Sequence, residues 1–176
     1  KYADLKDSYK SIAEALIHAG AENEAKVIVR WIHSDRLTPE TVARTCKDLD
    51  AILVAPGFGE RGFEGKIATV QFARENNIPF FGICFGMQAA VIEFARNVIG
   101  LKNANSTEID TKTKYPVIDL MEEQKKVVNM GGTMRLGAND CQLREGSKAM
   151  EIYGSSIISE RHRHRFEFNI TFLEKF

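Results

Sequence analysis

The sequence predicts an α/β fold: a three-layer, open, mostly parallel sheet with helices on both faces and an antiparallel extension. Three observations carry this prediction. Apolar periodicity switches repeatedly between helical and strand spacing along the first hundred residues. Two short apolar runs, AILV at 51–54 and FFGI at 80–83, read as strands buried on both faces. Helical patterns lie between and after them, which implies right-handed crossovers and parallel pairing. The later residues instead read as successive strands with few helices between, the source of the antiparallel part. At 176 residues the chain has the length of one domain and can bury a real core.

The elements follow in order. Residues 6–19 form a helix, with Ile12, Ala15, Leu16 and Ala19 on one face, Asp7 or Ser8 near the start and Gly20 just past the end. Residues 26–32 alternate as a strand. Thr38-Pro39 opens a short helix, with proline at the first helical position, where its missing N–H costs nothing. The strand at 51–54 is broken by Pro56-Gly57-Phe58-Gly59, and a helix follows over 64–75. The strand at 80–83 stops at Cys84, and a helix over 85–96 begins at once. Strands are then expected at 115–120, 127–130, 140–143 and 155–168. There is no internal repeat, low-complexity tract or linker.

Lys and Arg number 24, as do Asp and Glu, so no net field draws in nucleic acid or an anionic membrane. The three cysteines, Cys46, Cys84 and Cys141, are odd in number and far apart. That argues against a disulfide framework and for a reducing, cytoplasmic setting. No signal peptide or bilayer-spanning apolar run is present. Lys1 opens without a start methionine and Phe176 stops inside an apparent helix, so a piece of a longer polypeptide is expected.

The chemistry concentrates at Gly82-Ile83-Cys84-Phe85-Gly86-Met87-Gln88. A cysteine on a sharp strand-to-helix turn is pushed out of the sheet as an exposed nucleophile. Gly82 and Gly86 let the backbone fold tightly around it. The first amides of the helix favour a thiolate and can hold an oxyanion. A cysteine after a buried strand is also often a small core residue, and Cys46 and Cys141, lacking this setting, are read that way. If the strands at 51–54 and 80–83 are neighbours, the loop at 56–59 opens on the same edge, and Gly57 offers a second oxyanion donor.

Together these segments resemble the class I glutamine amidotransferases, whose elbow reads G-[IV]-C-x-G-x-Q. The resemblance narrows to the CTP synthase branch through NANSTE at 103–108, GGTMRLG at 131–137, RHRHRFE at 161–167, and KY at 1–2 with LKDSY at 5–9. It covers nearly the whole chain. It implies that residues 1–176 are a glutamine amidotransferase domain, incomplete at the C-terminal end. Cys84 would form a γ-glutamyl thioester with L-glutamine and release ammonia. The ammonia would pass to a synthase domain of the same polypeptide, where ATP-activated UTP is aminated to CTP. The resemblance assigns Gly57 and the Phe85 amide to the oxyanion hole. It assigns Gly86, Met87 and Gln88 to the substrate pocket, Glu108 to the glutamine amino group, and Arg165 to the pocket wall. Phe58 would contact the guanine of GTP, the allosteric activator, and 131–137 would form part of a lid. No cofactor is implied here; ATP and Mg2+ belong to the synthase domain, and the full-length protein would be a homotetramer.

The chain departs from the family in three places. Pro56 stands where a glycine is common, removing one backbone donor while keeping Gly57. Phe85 replaces a common leucine. The family's His-Pro-Glu motif is missing: none of His18, His33, His162 and His164 precedes Pro-Glu. Weak glutaminase activity at most is therefore expected of these residues alone. In RHRHR the arginines share one strand face and read as solvated apart from the match. His162 and His164 share the other face and could ligate a metal, but no third ligand is evident and none is expected. Two further readings stand: another cysteine hydrolase with the same elbow, or a non-catalytic module for nucleotide binding or assembly.

Overall fold

The computed structural model describes residues 5–120 and 135–176. A 3-10 turn, Lys6–Tyr9, leads into α1 (Lys10–Glu22). A second 3-10 turn, Ser34–Arg36, precedes α2 (Pro39–Cys46). Then come β1 (Ile52–Val54), α3 (Phe63–Glu75), β2 (Phe80–Gly82) and α4 (Phe85–Asn97). The later elements are β3 (Asn105–Ser106), β4 (Pro116–Leu120), β5 (Arg135–Gln142), α5 (Lys148–Tyr153), β6 (Ile157–His164), β7 (Phe166–Phe168) and a 3-10 turn, Ile170–Lys175.

The α/β alternation holds, and β1 and β2 pair in parallel, Ile52 against Phe80 and Val54 against Gly82. Among the described residues the ladders form three pieces: β1–β2, then β3–β4–β7, then β5–β6. β4 pairs β3 in parallel and β7 antiparallel. β5 and β6 are wholly antiparallel, from Arg135 opposite His164 to Gln142 opposite Ile157. This is the predicted antiparallel extension. The strand expected at 127–130 lies outside the described residues, as do residues 131–134 of the expected lid and KY at 1–2.

The core lies between α3, α4 and the short strands. Phe63 and Phe85 are fully buried with ring centroids 4.5 Å apart. Each contributes about 1.5–3 kcal/mol by burial, and the ring pair adds about 1 kcal/mol. Ile92, Val117 and Ile118 complete the centre. Among the described residues two ion pairs bridge the two helices: Arg96 meets the exposed Glu64 at 2.9 Å, and Arg74 meets the buried Glu93 carboxylate at 2.7 and 3.1 Å, with Asn97 donating to the same group at 3.1 Å. Burying a carboxylate is costly unless donors such as these meet its oxygens.

Three expectations change. Residues 26–32 form no strand; they lie across an apolar groove from β1, whose walls include Leu16, Val27, Trp31 and Leu53. Without ladder bonds to β1 their alternating pattern has no sheet to face, and Ile28 is 81 % exposed. The second strand is not buried on both faces, because Phe81 opens onto that groove at 63 % exposure. Gly20 does not follow α1 but lies inside it and is buried. A Cβ there would meet the Ala25 carbonyl oxygen at 2.6 Å, so the glycine allows the chain to fold back closely. Thr38 opens α2 as expected, its N–H donating to Thr41 Oγ1 at 2.9 Å. Among the described residues no helix is long and apolar enough to cross a membrane.

Candidate active site

Because β1 and β2 are parallel neighbours, the loops that leave their C-terminal ends open on one edge. The elbow rises from this edge. Ile83 N–H donates to the Val54 carbonyl at 3.1 Å, carrying the ladder one bond past β2. Cys84 then takes φ 53° and ψ −107°, and α4 begins at Phe85. A non-glycine residue there costs about 1–3 kcal/mol, held in place by its surroundings. The surroundings are tight. A Cβ on Gly82 would lie 2.7 Å from the Gly86 backbone, and one on Gly86 would overlap the Val54 carbonyl. The glycines thus let α4 sit directly against β1.

The 55–59 loop is tied down at three points. Lys66 Nζ donates to the Ala55 carbonyl at 2.5 Å, and Tyr9 Oη donates to the Pro56 carbonyl at 3.0 Å. Gly59 N–H donates to Glu108 Oε1 at 2.7 Å. Gly57 lies over Phe85: a Cβ on it would sit 3.5 Å from Phe85 Cδ1 and 3.8 Å from Lys66 Nζ. The two residues expected to supply oxyanion donors are therefore adjacent. Glu108 reaches the loop from the turn after β3, where its own N–H donates to Ser106 Oγ at 3.1 Å. It is not a solvated lone carboxylate.

The sequence reading missed Lys66 and Tyr9. Lys66 is only 3 % exposed and Tyr9 6 %. A lysine embedded in the apolar stretch GKIATV was the signal for a buried amine; Tyr9 offered none beyond its place in LKDSY.

Cys84 itself is half-buried. Burial pushes its thiol above the ordinary cysteine range, opposed by the Phe85 N–H; Glu108 raises it further and Lys66 lowers it. The helix-start amide thus favours the thiolate as expected, and desolvation outweighs it.

The remaining residues lie on α4, on the 55–59 loop and along β6 and the bend after it. Phe85 and Gly86 are buried, and Met87 is 39 % exposed. Gln88 is buried on the first turn of α4, its Nε2 donating to the Phe166 carbonyl at 3.1 Å. Its Oε1 is buried with no hydrogen-bond partner among the described residues. The Phe166 contact brings the end of RHRHR to the elbow helix, with Arg165 at the bend between β6 and β7. Phe58 is 64 % exposed at the tip of its loop. Arg161 and Arg163 are exposed on β6. On the other face His162 Nδ1 and His164 Nε2 are 2.8 Å apart, and His164 Nδ1 is 3.4 Å from Glu167. Burial holds His164 below the usual histidine range, against the pull of Glu167. Among the described residues no three His, Cys, Asp or Glu side chains are grouped to hold a metal. Cys46 is a core residue, whereas Cys141, expected to be structural, is exposed on β5, a strand paired only with β6 among the described residues.

The family model described as glutamine amidotransferase class-I matches residues 4–176. The chain belongs to this family. Within the class I amidotransferases it is similar to CTP synthases. That of Cytophaga hutchinsonii is 64 % identical over 176 residues, covering 100 % of this chain and 33 % of the relative. That of Flavobacterium psychrophilum is 62 % identical over 174 residues, covering 99 % and 32 %. That of Chlorobaculum tepidum is 57 % identical over 178 residues, covering 100 % and 32 %. The amidotransferase chain thus spans about a third of the length of these curated relatives. Among solved structures, the glutaminase domain of Trypanosoma brucei CTPS with bound acivicin matches with a TM-score of 0.89 at 37 % identity. That match covers 96 % of this chain and 65 % of the other.

Proposed function

We propose that this domain hydrolyses L-glutamine through a thioester on Cys84 and, in the whole polypeptide, supplies ammonia for the ATP-dependent amination of UTP to CTP. The observation that carries the reading is the elbow. Cys84 stands in a strained conformation at the start of α4, where Gly57 packs against the next residue, Phe85, and the charge of Glu108 acts on the sulfur.

The chemistry follows from these groups. The sulfur attacks the side-chain amide carbon of glutamine, and the carbonyl oxygen takes up negative charge against the N–H groups of Gly57 and Phe85. The carbon–nitrogen bond breaks, the thiol proton leaves on ammonia, and a γ-glutamyl thioester remains. Water cleaves the thioester, giving glutamate and restoring the thiol. Gln88 Oε1 accepts a hydrogen bond from the substrate, and Arg165 closes the pocket. Glu108 receives the glutamine α-ammonium. That pairing offsets the negative charge that now raises the Cys84 thiol, so substrate binding itself favours the thiolate. The domain's own step draws on side chains and amides alone. ATP and Mg2+ act in the synthase part, and GTP acts as activator with Phe58 as its contact. The whole protein is a homotetramer working in the cytoplasm.

A silent site is the second reading. The thiol held above the ordinary cysteine range by its half-buried setting favours that reading. Incubation with a chloroketone analogue of glutamine, followed by intact mass and peptide mapping, separates the two. One adduct per chain on Cys84, blocked by excess glutamine, is expected. Labelling elsewhere, or none at Cys84, overturns the proposal.

A further inference from the structure

We propose that Lys66 is a positioning residue of this site, holding the 55–59 loop in register with the elbow and placing a fixed positive charge beneath it. The inference rests on the glutaminase reading above and adds a residue to it. Lys66 sits in the first turn of α3 and is 3 % exposed. A buried amine carries a large desolvation cost unless something specific offsets it. Its Nζ donates to the Ala55 carbonyl and lies 5.4 Å from the centre of the Phe85 ring. It also approaches Gly57, since a Cβ there would lie 3.8 Å from Nζ. One amine therefore touches the residue before Pro56 and lies within a few ångströms of both oxyanion-donor residues.

The arrangement has a mechanical and an electrostatic consequence. Pro56 has no N–H, so the loop has one backbone donor fewer with which to fix itself. Clamping the Ala55 carbonyl from below orients the peptide that leads into Gly57. The charge then acts on whatever anion forms above it, whether the Cys84 thiolate or the substrate oxyanion. Among the described residues, the charged groups that act on Cys84 are Glu108, which disfavours its anion, and Lys66, which favours it. Lys66 is the cationic counterweight within the site.

The test compares Lys66→Met, Lys66→Gln and Lys66→Arg with the parent, in the whole polypeptide that carries these residues. Gln keeps a donor for Ala55 and removes only the charge; Arg keeps both. The first readout is the rate of Cys84 alkylation by iodoacetamide against pH without glutamine. The second is kcat and KM for glutamine. In Lys66→Met and Lys66→Gln alkylation at a fixed pH should fall about threefold to tenfold, its pH midpoint moving up. Their kcat should fall about tenfold to a hundredfold with KM changed less than about threefold. Lys66→Arg should restore most of both. If Lys66→Met fails to fold, Lys66→Gln carries the test. A folded Lys66→Gln protein with the parental alkylation profile and kcat overturns the role of Lys66. If the parent itself is not alkylated at Cys84 or does not hydrolyse glutamine, it is the glutaminase reading that fails instead.

Discussion

Replacing Cys84 by alanine should lower glutamine hydrolysis by the whole polypeptide on the order of 10⁴-fold or more, without unfolding it. The effect is large because the sulfur is the atom that bonds to the substrate. The Gly57 and Phe85 amides keep only the smaller share of catalysis that oxyanion binding gives without a nucleophile. The fold should survive. Alanine meets the same backbone penalty at φ 53° as cysteine does, and the residue is only half-buried. Its thermal midpoint should fall by no more than a few degrees, which corresponds to about 1 kcal/mol in a domain of this size. Cys46→Ala and Cys141→Ser serve as controls and should keep their turnover. Turnover of Cys84→Ala within about tenfold of the parent would place the nucleophile elsewhere.

Gly86→Ala should be severely damaging, although it adds only a single methyl group. The added Cβ overlaps the Val54 carbonyl oxygen and lies 3.1 Å from Val54 Cβ. Neither can retreat. Val54 is the last residue of β1, its carbonyl accepts the Ile83 N–H, and its side chain is in the core. Alanine is the better helix former by about 1 kcal/mol, so propensity alone predicts stabilisation. The overlap dominates, because relieving it means lifting α4 off β1 and with it Phe85 and Ile92. A loss of about 3 kcal/mol or more is expected, read as a fall in the denaturant midpoint. Glutaminase activity should be lost with it, since the same helix carries Phe85 and Gln88. A Gly86→Ala protein as stable as the parent would mean that α4 does not sit against β1 as described.

The elbow was legible in the sequence because its constraints are local. A strand, a cysteine and a helix in direct succession, flanked by Gly82 and Gly86, dictate a sharp turn wherever they occur. The parallel pairing of β1 and β2 followed from the helix between them. Contacts between distant segments were not legible. Nothing at Tyr9 signals that its hydroxyl reaches Pro56, 47 residues away, or at Glu108 that it caps the Gly59 amide, 49 residues away. Residues 26–32 misled because alternation marks a strand only when a neighbour accepts its ladder bonds. The helix-start argument found the Phe85 amide that favours a Cys84 thiolate but not the desolvation that opposes it, because local amides are visible in sequence and burial is not. Lys66 combines both lessons: its apolar neighbours in GKIATV hint at burial, but its contact with the 55–59 loop is not visible in the sequence.

The central claim is that glutamine passes through a covalent bond to Cys84. The direct measurement is rapid acid quenching of the whole polypeptide during turnover of isotopically labelled glutamine, followed by peptide mapping. The account predicts a γ-glutamyl adduct on the peptide that contains Cys84, formed no more slowly than glutamate is released, and absent from Cys84→Ala. Glutamine hydrolysis at the parental rate with no adduct on that peptide, or with an adduct on another residue, would contradict it.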